Sequence, residues 1–101
     1  MTSSIKWKRL RTIAEELTHR KISLILSTDM NDQINSATAF TKGSKRASII
    51  FNGLYLKTDD QIIDATAHEC AHITLQSDSH SEKFNALWNQ YRSVITDKYF
   101  A

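Results

Sequence analysis

One stretch constrains this chain more than any other: the helix signal from Thr58 to Leu75, with His68, Glu69 and His72 inside it. Thr58 can cap a helix, Gln61 stands at the capping-box position, and Asp59 and Asp60 fall in the first turn where the helix dipole favours acids. Ile62, Ile63, Ala65, Ala67, Cys70, Ala71, Ile73 and Leu75 then make it apolar over more than one face, as a central helix requires. A buried helix that carries two histidines and a glutamate needs a reason, because unpaired polar groups are costly inside a protein. His68 and His72 are four positions apart, so both rings lie on one face, one turn apart. Two imidazoles so placed can hold a single metal ion, and the ion supplies the reason.

Glu69 sits on the flank of that face. From there it reaches a metal-activated water without being a ligand, the arrangement of the H-E-x-x-H pattern: two ligands and a general base from one turn of helix. A catalytic zinc takes three protein ligands and keeps a fourth position open. His80 is the expected third. Gln76-Ser77-Asp78-Ser79 has no apolar residue and ends the helix, so the chain can reverse there. Ser79-x-x-Glu82 reads as a second capping box, which puts His80 in the first turn of the last helix. A glutamate is the other common third ligand; after His80 the only one is Glu82, which the cap explains, and Asp78 and Asp97 are weaker alternatives. His19 reads as the C-terminal residue of the first helix, and Cys70 as a small buried hydrophobe about 200° around the helix from His68.

The rest of the chain supplies a frame. Ser3 or Ser4 can cap a first helix, with Leu10, Ile13, Ala14 and Leu17 at helical spacing and Ile5 and Trp7 near the same stripe. Lys21–Ser27 alternates, with Ile22, Leu24 and Leu26 on one face, and reads as a strand; Thr28–Asp32 is a polar turn. Residues 36–41 form a weaker strand, and the turn at 42–45 can close a hairpin onto the strand 46–52. Phe84, Leu87, Trp88, Tyr91 and Ile95 form one stripe of a last helix, with Val94 beside it and a short tail, 97–101, that could lie over the cleft. The expected fold is α+β, one domain over residues 1–101: an N-terminal helix, a short three-stranded sheet, the active-site helix and a C-terminal helix.

Charge narrows the partners. A formal +2 is too small to argue for nucleic acid or an anionic membrane, and no stretch approaches a membrane span or a signal peptide. With one cysteine no internal disulfide is possible, which fits a reducing compartment. The expectation is a cytoplasmic protein whose partner is a peptide or protein substrate. A peptide could add as a strand to an exposed sheet edge, for which 36–41 is the more polar choice. Tyr55, Tyr91 and Arg92 are the possible oxyanion donors.

The runs 49–54 (IIFNGL), 65–72 (ATAHECAH) and 80–84 (HSEKF) resemble the small zincin metallopeptidases of the SprT-like and YgjP-like (WLM) type. The resemblance covers roughly the second half of the chain. It implies a minimal zincin domain that hydrolyses peptide bonds, with Zn2+ held by His68, His72 and His80 and Glu69 as catalytic base. Cys70 replaces a larger apolar residue of that pattern, and Ser81 stands where glycine is common. Two readings from other classes stand beside it. One is a metal-binding or scaffold module of the same fold with little hydrolytic activity; the other is a nucleic-acid-associated protein using the N-terminal basic residues.

Overall fold

Strand β3 (Arg46–Asn52) is the centre of the sheet and the reason the rest is where it is. The computed structural model describes residues 5–30 and 33–101. In chain order the elements are α1 (Trp7–Thr18), β1 (Lys21–Ser27), β2 (Ser36–Phe40), β3, α2 (Asp59–Leu75) and α3 (Glu82–Tyr99). This is the expected α+β layout of three helices and a three-stranded sheet. The strand order is β1-β3-β2, so both β1 and β2 are edges. β1 pairs with β3 in parallel, from Lys21 opposite Arg46 to Ser27 opposite Asn52. β2 pairs antiparallel, from Ser36 opposite Phe51 to Phe40 opposite Ala47. The parallel pairing is invisible in a two-residue period, which reports faces and not partners.

One sheet face is buried: Ile22, Ala47, Ile49 and Phe51 join residues of all three helices in one core cluster. Leu24 and Leu26 share the alternation with Ile22, yet Leu24 is only half-buried and Leu26 is 45% exposed. β1 is an edge strand, and Trp7 borders a shallow pocket at its far end with Leu24 and Leu26. Trp7 itself packs on Phe51 at 5.6 Å between ring centres.

Side-chain caps start α2 and α3 but not α1. Ser3 and Ser4 lie outside the described residues, as do Asn31 and Asp32 of the polar turn; the residue at the N-cap of α1 is Lys6, with no side-chain cap. His19 ends α1 in the left-handed region at φ 57°, its N–H donating to the Glu15 carbonyl. In α2 the expected capping box is present: Gln61 N–H donates to Thr58 Oγ1, and Gln61 Oε1 accepts from the Thr58 N–H. Ile62, Ile63 and Ile73 of α2 are fully buried, each worth about 1.5–3 kcal/mol of transfer from water.

Two expectations for the C-terminal part are corrected. The N-cap of α3 is Ser81, whose Oγ accepts the Phe84 N–H, so Glu82 is the first helical residue and His80 precedes the helix. Ser79 does not cap; it lies two residues before the N-cap, and its N–H donates to Ser77 Oγ. Nor does the tail cover a cleft. Tyr99 is the last residue of α3 and is fully buried, its hydroxyl accepting the Lys6 N–H and donating to Asp59 Oδ1 at the start of α2. Among the described residues no helix is long and apolar enough to cross a membrane.

Candidate metal centre

Helix α2 carries His68 and His72 on one face, as four-residue spacing demands, and ends one turn later. Gln76 closes it in the left-handed region, at φ 52°. The Ser77 N–H donates back to the His72 carbonyl at 3.2 Å, a Schellman-type closure made without glycine. A side chain here costs backbone strain, of order 1 kcal/mol, but Gln76 Oε1 accepts the Gly43 N–H at 2.8 Å and ties the β2–β3 turn to the helix end.

The same closure sets the imidazole of His72. Its Nδ1 lies 2.8 Å from the Ser77 carbonyl oxygen, which can only accept, so Nδ1 carries the proton and Nε2 presents a lone pair. That Nε2 is 3.2 Å from Nε2 of His68. Two nitrogens on one tetrahedral ion at about 2.0–2.1 Å each would stand about 3.3 Å apart. His80, exposed and outside the helix, brings its ring to 5.4 Å from that of His68 and 4.9 Å from that of His72. One ligand atom from each of the three lies within 4.8 Å of the others, so the three histidines could hold a metal ion. Burial, then the neighbouring His72 and His80, push the His68 imidazole down to about 4, which keeps it neutral and able to ligate.

Helix α3 supplies no ligand but gives the cluster its floor. The ring of Phe84 stacks on His72 at 4.3 Å and 28°, and meets the edges of His68 and His80 at 5.0 Å each. Trp88 stands against His68 at 4.6 Å, its indole N–H on the Asp64 carbonyl. Their spacing marks them only as a packing stripe; the faces they pack against belong to the site.

Glu69 lines a cleft of about 540 Å³ that it shares with Asn35, Ser36, Tyr55, His68 and Trp88. It is 3% exposed. Ser36 Oγ, at the start of β2, donates to its Oε2 at 2.5 Å. Burial raises the Glu69 carboxyl above its ordinary value; the Ser36 hydrogen bond and His80 pull it back, and Asp78 adds to the rise. A carboxyl whose pKa is raised, beside three imidazoles, is equipped to take and return a proton. Ser36 was legible only as a strand residue, since nothing local links it to position 69.

Asn52 explains how Ser36 reaches the helix. It is fully buried; its Nδ2 donates to the Ile34 carbonyl and its Oδ1 accepts the Leu54 N–H. Its own N–H donates to the Asn35 carbonyl. The chain entering β2 is therefore fastened to the end of β3.

Of the possible oxyanion donors, Tyr55 lines the cleft beside Glu69. Tyr91 is buried elsewhere, its hydroxyl between Thr74 Oγ1 and the Leu17 carbonyl. Arg92 is engaged by Asp64 and Asn89. Cys70 is fully buried, its thiol pushed up by burial and by Glu69, and takes no part in the cluster. Asp78, Asp97, Glu82 and His19 are not among the three clustered ligands. No family model, curated protein or solved structure matches this chain.

Proposed function

We propose that the chain is a zinc-dependent metallopeptidase, with His68, His72 and His80 holding the ion and Glu69 as general base. The observation that carries this reading is the joint geometry of three clustered imidazoles and one buried carboxylate facing a cleft. Three neutral nitrogen ligands with an open side suit zinc, which supplies Lewis acidity: it polarises a peptide carbonyl and lowers the pKa of a water. Glu69 then accepts a proton from the attacking water and returns it to the leaving amine. Ser36 holds the Glu69 carboxylate in place through that cycle, and Tyr55, which lines the same cleft, is the candidate donor to a developing oxyanion.

The substrate is read as an extended peptide added to β2. The Asn52 N–H to Asn35 carbonyl bond makes that facing pair a hydrogen-bonded one, and antiparallel pairs alternate. Ser36, Thr38 and Phe40 thus turn their N–H and C=O groups away from β3, toward the open edge. The lone thiol, buried in the core, suits a cytoplasmic setting.

The test compares zinc-loaded wild type with Glu69→Gln on a mixed peptide library, with metal content measured for both. Cleavage by wild type, loss in the variant and equal zinc in both are expected. A wild type that holds zinc and cleaves nothing would leave a metal-binding module instead.

A further inference from the structure

Peptidase chemistry occupies one end of β2, beside Ser36. The other end carries charge. A groove of about 800 Å³ runs from Thr38, Phe40 and Thr41 to Lys21 and Arg46, with Asp78 on its border. Five cations gather at this end of the sheet. Lys21 and Arg46 face each other across the β1–β3 ladder. The Lys21 N–H donates to the Lys45 carbonyl, and the Arg20 guanidinium donates to the Ser44 carbonyl. Lys42 sits in the turn closed by the Ser44 N–H on the Thr41 carbonyl, with Gly43 at φ 77°. Lys21, Lys42, Lys45 and Arg46 are exposed. Among the described residues none of the five forms an ion pair; the ion pairs found there, Arg92–Asp64 and Lys98–Glu16, lie elsewhere. The acids close by are Asp78 and Glu15, and a Glu15 oxygen is taken by the Ile22 N–H. A chain of formal charge +2 thus holds a local surplus of positive charge at one place.

Position gives that surplus a use. Two hydrogen bonds fasten the β2 region to α2: Ser36 to Glu69 and Gly43 to Gln76, each spanning 33 residues. The strand and the metal-bearing helix therefore run side by side in one direction, with Glu69 at one end and the basic turn at the other. Ser36 to Phe40 is four strand steps, about 14 Å. A peptide laid along that edge with its scissile bond at Glu69 puts residues about three to five positions away against the cations. We propose that the basic turn selects acidic residues at those positions, on one side of the scissile bond. The occupant is an acidic peptide segment because Lys42 and Lys45 lie in the turn that follows β2, whose free edge groups a peptide can pair and a nucleic acid cannot, while Arg46 and Lys21 stand one and two strands further in. Exposed cations act through attraction in the encounter and the bound rim, so the selection appears in KM and fades with salt.

This inference rests on the peptidase reading for its scissile bond, and the experiment separates the two. Two nonapeptides differing only in three aspartates or three lysines at one end are compared, with the aspartates or lysines placed at either end in turn. Zinc-loaded wild type and Lys42→Glu/Lys45→Glu are assayed for cleavage at low and high salt. Fluorescein-labelled forms and a single-stranded DNA of equal charge are titrated into the Glu69→Gln protein, with and without the same two reversals. Expected are a roughly tenfold kcat/KM preference for aspartate at one end, its inversion in the double variant and its loss at high salt. Cleavage without an acidic preference, or a preference that survives the reversals, overturns the inference and leaves the peptidase. No cleavage, with acidic-peptide binding that depends on Lys42 and Lys45, removes the peptidase and keeps the acidic docking site. Neither cleavage nor binding overturns the inference, as does DNA binding tighter than the acidic peptide.

Discussion

Ser36 and Glu69 meet across 33 residues of chain, a hydroxyl at the edge of the sheet donating to a buried carboxylate on the central helix. That bond stabilises the ionised form of Glu69 against the desolvation that raises it. In Ser36→Ala the opposing pull is gone, so the Glu69 pKa rises further and the carboxylate form is reached only at higher pH. The acid limb of the kcat/KM profile should move to higher pH, with activity falling about three- to tenfold at pH values on that limb. Zinc content should stay at the wild-type level. A pH–rate profile with metal analysis checks both, and an unmoved acid limb would detach Ser36 from the base.

Replacing Glu69 itself separates chemistry from stability. A carboxyl with a raised folded pKa favours the neutral form; its contribution to stability is present below the ordinary value and lost as pH rises through the folded one. At pH 7 the ionised group is therefore a cost to the fold. Glu69→Gln keeps an acceptor for Ser36 and removes the charge. The variant should melt at a higher temperature than wild type in chelator at pH 7, and the two should converge near pH 4. Its peptidase activity should fall by about a thousandfold or more. A lower melting temperature at pH 7 would show that the carboxylate is a net stabiliser.

Asn52 tests the scaffold. It is fully buried and holds both the entry to β2 and the turn after β3. Asn52→Ala removes a fully buried side chain and leaves the part-buried Ile34 carbonyl and Leu54 N–H without it, about 1–3 kcal/mol in unfolding free energy. Ser36 is two residues from Ile34, so loosening there should also lower kcat in the folded fraction. Urea unfolding and activity below the transition measure the two effects. A stability loss with kcat unchanged would mean that Ser36 is positioned from elsewhere.

These relationships differ in how far they can be read from residues alone. His68, Glu69 and His72 share one turn, so helix geometry places them without knowledge of the fold. The Thr58–Gln61 cap and the strand bounds of β1 and β3 are local for the same reason. Ser36 and Asn52 are not: their roles depend on which strand is central and on the parallel β1–β3 pairing, neither of which leaves a periodic trace. The α3 start shows a smaller failure of the same kind. Ser79 and Ser81 both suit a cap, and Ser81 takes the role, its Oγ accepting the Phe84 N–H, while the Ser79 N–H donates to Ser77 Oγ. The packing stripe on α3 was plain, but that Phe84 lies under three imidazoles depends on how α3 folds back on α2.

Metal removal should expose a pH-dependent weakness. The folded pKa of His68 is lowered to about 4, so between its ordinary 6.5 and 4 the unfolded chain takes up a proton that the folded chain refuses. Stability is full above pH 6.5 and falls as pH drops through that window. In chelator, the melting temperature should decline from pH 7 to pH 4.5, and His68→Gln should flatten part of the slope. At pH 7, zinc at a thousandfold over its Kd should add about 4 kcal/mol, a gain that chelator reverses. Calorimetry across this range checks both; a slope identical in His68→Gln would assign the weakness to other groups.

His80 carries the last prediction because it is the ligand least fixed by its element. It precedes the Ser81 cap, it is exposed, and its ring meets Phe84 edge-on and approaches the other two imidazoles. His80→Ala should leave the apo fold intact, with unfolding free energy within about 0.5 kcal/mol of wild type, as for an exposed residue. Zinc affinity should fall by a hundredfold or more, since two helical imidazoles remain where three are needed. His72→Ala should lower affinity as much but also destabilise the apo protein. It removes a buried ring that stacks on Phe84 and bonds the Ser77 carbonyl. Competition titrations with a chromophoric chelator, beside apo melts of both variants, distinguish the two. Wild-type zinc affinity in His80→Ala would take this residue out of the centre and turn the search to Asp78, the acid whose charge already reaches Glu69.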